Sequence, residues 1–104
     1  FWACRGATPE DMAAIDKSLI YNVHLSDGKR PAVNEPWVDE RELRGYLLGE
    51  GEIPLQEWVD AIESTGYEGF YSGEFLNDQL WEADHYEIAE NMLAGMKSLL
   101  SGKV

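Results

Sequence analysis

The sequence predicts an α/β unit built on a parallel sheet, and three observations carry that prediction. Two short β-rich runs, residues 19–25 and 70–75, stand about fifty positions apart. A segment with helical periodicity lies between them, and further helical patterns precede the first run and follow the second. Strands that alternate with helices are joined by right-handed crossovers, which leave neighbouring strands parallel.

Each element has a local reason. Residues 1–7 read as the end of a strand and a following loop. Thr8-Pro9-Glu10-Asp11 is a helix start, with Thr as N-cap, Pro in the first turn and acids near the positive end of the dipole. That helix is expected to run to about Ile15, and Asp16-Lys17-Ser18 is a turn. The run Leu19-Ile20-Tyr21-Asn22-Val23-His24-Leu25 is mostly apolar rather than cleanly alternating, as in a parallel strand covered on both faces. Residues 26–36 form a polar loop with Gly28, Pro31 and Pro36, and Glu40-Arg41-Glu42-Leu43 has the makings of one helical turn. Such a long βα connection is a common home of functional residues.

Gly49-Glu50-Gly51 permits a sharp turn before Pro54 opens the next helix. Leu55, Trp58, Val59 and Ile62 fall at i, i+3, i+4 and i+7, an apolar stripe on one side. Gly66 stops this helix. Phe70-Tyr71-Ser72-Gly73-Glu74-Phe75 is the second strand, and residues 77–83 read as a loop. Asp84 caps a last helix whose face carries Ile88, Ala89, Met92, Met96, Leu99 and Leu100. Two such strands leave bare sheet edges and half-covered apolar faces, so the piece is expected to need more sheet beside it.

Composition narrows the function classes. The chain has 104 residues, at most one ordinary domain, and its 44% of hydrophobic residues argues against disorder. The net charge of −12 disfavours nucleic acid and anionic membrane surfaces. No apolar run is long enough to span a bilayer, and no secretory signal pattern is visible. The single Cys4 cannot form an internal disulfide, which favours a cytoplasmic setting.

Two residues carry the chemistry. His24 ends an apolar strand directly before the polar run Ser26-Asp27-Gly28-Lys29-Arg30, and imidazole is the commonest side-chain ligand of transition metals. Glu74 ends the second strand, where an acid is costly unless it is paired, solvated or bound to metal. Asp27 is placed to orient the imidazole, to contact substrate, or simply to shape a turn. Arg5 and Arg30 are candidates for holding substrate oxygens, and Trp2, Trp37 and Trp81 for walling a sugar pocket. Gly69 and Gly73 suggest close backbone approach near a crowded site. Gly49-Glu50-Gly51 is no dinucleotide fingerprint, no phosphate-binding loop of the Walker type is present, and Ser26 and Ser72 lack the partners of a serine hydrolase.

Three motifs in order, Val23-His24-Leu25-Ser26-Asp27, Leu48-Gly49-Glu50-Gly51-Glu52-Ile53-Pro54-Leu55 and Gly66-Tyr67-Glu68-Gly69-Phe70-Tyr71-Ser72-Gly73-Glu74, resemble the sugar-phosphate isomerase/epimerase family. The resemblance spans nearly the whole chain. It implies the C-terminal part of a (β/α)8 TIM barrel of the xylose-isomerase type, about strands 7 and 8 with their flanking helices. It also implies a divalent ion, manganese first and Mg, Co or Zn after it, held by Glu, Asp, His and Glu on four consecutive strands. His24 matches the His. Glu74 matches the last Glu, which doubles as an acid/base group. Arg30, six residues after His24, matches a substrate-binding Arg. Phe1-Trp2 resembles the segment directly after the family's Asp-x-x-His strand. The first Glu and the Asp of that set would lie before Phe1, as would about six strands.

The resemblance therefore implies a larger enzyme, homo-oligomeric when complete, whose missing strands come from the same or another chain. Its expected reaction is isomerisation or epimerisation of a sugar or polyol derivative through an enediolate. A dehydratase or C-glycoside lyase would use the same proton abstraction, and a non-catalytic barrel piece or partner subunit is the reading from a different class.

Overall fold

The computed structural model describes residue 3, residues 6–30 and residues 39–100. Helix α1 (Pro9–Ala13) opens the described fold, followed by a 3-10 turn at Lys17–Leu19 and strand β1 (Val23–Leu25). After the loop come α2 (Glu40–Arg44), α3 (Leu55–Ser64), β2 (Tyr71–Gly73), α4 (Asp78–Trp81) and α5 (His85–Leu99). β1 and β2 are parallel, with Val23 opposite Tyr71, His24 opposite Ser72 and Leu25 opposite Gly73. The Val23 amide donates to the Phe70 carbonyl at 3.2 Å, and the Glu74 amide donates to the Leu25 carbonyl at 2.9 Å.

The helices start where the sequence supplies caps. Thr8 and Asp11 form a reciprocal capping box, the Asp11 carboxylate accepting from the Thr8 amide at 2.8 Å. The Asp84 carboxylate accepts from the Tyr86 and Glu87 amides at the start of α5. α3 has no side-chain cap, and packing holds it instead. Its predicted stripe is buried throughout, from Val59 with no exposure to Leu55 and Trp58 at 8%. With Met12 of α1, Val23 and Leu25 of β1, and Leu100 after α5, these residues form the core. Gly66, at φ +86°, ends α3 in the left-handed region that glycine tolerates.

Three expectations are corrected. The chain does not show the C-terminal part of a (β/α)8 barrel. Its described residues form a small α/β unit with a two-stranded sheet of order β1-β2. The physical reason is that a strand-end motif specifies how one strand meets the next, and carries no count of strands beyond the pair. Second, β1 is not covered on both faces. Val23 and Leu25 are buried while His24 between them is exposed, because α1, α3 and α5 supply core on one side of the sheet. Third, residues 77–83 are not all loop. Asn77 accepts from the Gln79 and Leu80 amides and starts α4, a cap signal hidden inside a polar stretch.

Both strands are shorter than their β-rich runs: β1 because Leu19 falls in the 3-10 turn, and β2 because it spans only Tyr71–Gly73. Gly73 is small for the sake of the core: a side chain there would collide with Met92 of α5. Gly69 lies likewise against the Tyr67 ring. No helix among the described residues is long and apolar enough to cross a membrane.

Candidate functional site

Strand register builds the site. Side chains alternate between the two faces of a strand. Val23, Leu25, Tyr71 and Gly73 turn toward the helices, so His24, Ser72 and Glu74 share the opposite face. His24 stands opposite Ser72, and Glu74 is two residues further along, diagonally across the pair. The His24 Nδ1 and Glu74 Oε2 atoms come to 3.5 Å, with side-chain exposures of 54% and 36%. The two groups singled out in the sequence are therefore neighbours, and both reach solvent.

A third member was not expected. The Arg44 guanidinium places Nη1 at 3.4 Å from the same Glu74 Oε2, and Nη2 at 2.7 Å from Glu40 Oε2. The fold delivers it there by backbone clamps. The Leu76 amide donates to the Arg44 carbonyl at 2.7 Å, and the Asn77 side-chain amide donates to the Gly45 carbonyl at 2.8 Å. Gly45 permits this approach, because a Cβ would press on the Leu76 carbonyl at 2.9 Å. α2 itself is capped by Asp39, whose carboxylate accepts from the Arg41 amide, and is anchored by Leu43, 3% exposed. Glu40 first and Glu74 after it hold the Arg44 guanidinium protonated above its ordinary range, against the cost of burial. The signal for Arg44 was the i, i+4 spacing Glu40–Arg44, which marks a helical ion pair but not its destination.

Asp27 belongs to another structure. It is 1% exposed, and its carboxylate accepts backbone amides from Gly28 at 2.9 Å, Gly49 at 2.9 Å and Ile53 at 3.2 Å. Its own carbonyl accepts from the Tyr46 amide. Of the roles open to it in the sequence, orienting the imidazole, contacting substrate or shaping a turn, Asp27 takes the turn: it ties residues 49–53 to the end of β1. Arg30 is exposed, and its backbone amide donates to Glu52 Oε2 at 3.2 Å. Trp2, Arg5 and Trp37 lie outside the described residues. Trp81 lines a recess with Gly73, Phe75, His85 and Met92 that includes neither His24 nor Glu74.

His24 also stands at the rim of a recess of about 610 Å³ beside β1, lined mainly by apolar side chains such as Leu19, Ile20, Leu25 and Trp58. The polar, charge-bearing chemistry lies with His24, Glu74 and Arg44 rather than in this recess.

The His24–Glu74 separation bears on a metal. At 3.5 Å the two atoms are too far apart for a good hydrogen bond. Two ligand atoms about 2.1 Å from one ion, at the tetrahedral angle, would be about 3.4 Å apart. The pair thus suits two positions around a divalent cation. Among the described residues no group of three or more His, Cys, Asp or Glu side chains gathers as a complete set.

Comparison with known proteins yields a likeness to a solved structure. No family model and no curated protein matches the chain. The fold is similar to that of the IolI protein, whose crystal structure has a bound zinc atom, with a TM-score of 0.77 and 18% identity. The likeness covers 95% of this chain and 34% of that one, so the chain spans about a third of the length of its structural neighbour. At this identity the likeness shows a shared fold over that span. It assigns the chain no place in a barrel.

Proposed function

We propose that the chain is related to the sugar isomerase/epimerase family and that His24 and Glu74 are divalent-cation ligands of an isomerase or epimerase acting on a sugar or polyol derivative. The observation that carries this reading is the convergence of His24 Nδ1 and Glu74 Oε2 to 3.5 Å on the open face of two parallel strands. The zinc in the structurally similar IolI protein supports a divalent ion, and the three-motif resemblance points to manganese as well.

The roles follow from the donor types. His24 would bind the ion through a ring nitrogen, and Glu74 through a carboxylate oxygen. An ion held there would polarise a substrate carbonyl and an adjacent hydroxyl, and offset the charge of an enediolate. Glu74, half-exposed and carrying a second oxygen, is the described residue suited to remove a proton beside that carbonyl and to return it. Arg30, exposed in the segment that follows β1, would meet substrate oxygens. Two protein donors leave the remaining positions of the ion to substrate, water or residues outside those described.

Solvent-deuterium exchange tests the reading. The full chain, loaded with Mn²⁺ or Zn²⁺, would be incubated in D2O with a ketose or a keto-inositol. NMR should show deuterium entering the carbon next to the carbonyl. Glu74→Gln should abolish this exchange while leaving the fold intact. Exchange that persists in Glu74→Gln refutes the assignment. Loss of a β-hydroxyl in place of exchange would redirect it to a dehydratase.

A further inference from the structure

Glu74 is contested. The Oε2 atom that faces His24 is the same atom that Arg44 Nη1 approaches at 3.4 Å. Arg44 has little freedom to leave. Its backbone carbonyl is clamped by the Leu76 amide, and Glu40 holds its other nitrogen at 2.7 Å. Glu40 lies one helical turn earlier on α2, so the helix that presents the guanidinium also braces it.

We propose that Arg44 is the resident counter-cation of the His24–Glu74 pair and sets its affinity for divalent cations by competing with the ion for Glu74. This rests on the reading of His24 and Glu74 as metal ligands, and adds the residue that decides how tightly, and against what, the ion binds.

Two effects of Arg44 oppose each other. It orients the Glu74 carboxylate, which favours binding. It also places a positive charge next to the oxygen that a dication would take, which disfavours binding. The distances decide between them. Strong charge-assisted bonds of this type are about 2.7–2.9 Å long, so a 3.4 Å contact on a half-exposed carboxylate orients it only loosely. Repulsion between a dication and a guanidinium involves twice the charge of an ordinary pair and falls slowly with distance. Competition therefore outweighs orientation. With the ion absent, Arg44 neutralises Glu74 and keeps the empty pair from gathering stray monovalent cations. With the ion present, Glu40 retains Arg44 nearby.

The test is calorimetric titration of the full chain with Zn²⁺ and, separately, Mn²⁺. Arg44→Met keeps the aliphatic stem and removes the charge. It should tighten binding by about fivefold to tenfold, with the gain shrinking as salt is raised. Arg44→Lys keeps the positive charge that repels the ion and should remain within about twofold of the wild type. A merely structural role for Arg44 would weaken binding on removal, so the sign separates the two. His24→Ala and Glu74→Gln must abolish the titrated site. If they do, and Arg44→Met binds equally or more weakly than the wild type, the competition is refuted while the metal site stands. If neither the wild type nor Arg44→Met binds either ion at these residues, the metal-ligand reading falls and the competition falls with it.

Discussion

Asp27 and Glu74 are both carboxylates just past the end of a strand, yet the fold treats them oppositely. Asp27 is almost wholly buried, and three backbone amides converge on it. Its capacity is spent on holding the turn that leads to α3. Glu74 is half-exposed and meets two side chains, His24 and Arg44, both on one oxygen. An acid satisfied by amides is fixed in place and cut off from ligands. An acid facing an imidazole and a guanidinium can exchange partners. Burial and partner type, more than position relative to a strand, separate the structural acid from the chemical one.

The contrast can be broken most directly by deleting each carboxylate. Asp27→Ala leaves three amides without their acceptor and should cost about 3 kcal/mol in urea unfolding. Glu74→Ala removes half-exposed ion pairs and should cost less than about 1 kcal/mol. Equal costs would erase the distinction between the two acids.

A finer probe leaves both acids in place. Gly51 packs so closely on Asp27 that a Cβ would strike the carboxylate and approach the Gly28 amide at 2.6 Å. Gly51→Ala should destabilise the chain by about 2 kcal/mol, while Zn²⁺ affinity at His24 and Glu74 changes little. A large loss of affinity would mean that the turn and the site are one unit.

The smallest effect concerns a buried polar atom of a third kind. The Tyr71 hydroxyl is buried with no hydrogen-bond partner among the described residues, and burial pushes its pKa up to about 12. The folded state thus holds the proton where the unfolded chain, near pKa 10, releases it. The contribution of Tyr71 to stability should be constant below about pH 10 and fall as the pH rises from 10 toward 12. Tyr71→Phe should flatten this alkaline fall and leave neutral-pH stability within about 1 kcal/mol of the wild type or above it. An unchanged alkaline profile would assign the fall to other groups.

Much of the local structure was legible from residue types. The Thr8 and Asp84 caps, the Leu55–Trp58–Val59–Ile62 stripe and the Gly66 stop depend on spacings of one to seven residues, which a sequence displays directly. His24 and Glu74 stand out because a ligand type ending an apolar strand is conspicuous. The role of Asp27 is hidden for lack of burial information: a turn acid that binds amides twenty-two and twenty-six residues away has the same local sequence as one that faces solvent. α4 is hidden because four residues are too few to show a helical period.

By itself the sequence determined an alternating α/β order, parallel strands, helix caps and two candidate ligands, since these depend on short-range chemistry. Only the tertiary structure decided which face His24 occupies, that Glu74 lies diagonally across from it, and that Arg44 arrives beside them. Register, burial and docking are set by contacts between distant residues: α1, α3 and α5 pack against one side of a short sheet, and the bonds from Leu76 and Asn77 to the Arg44 and Gly45 carbonyls bring α2 beside it.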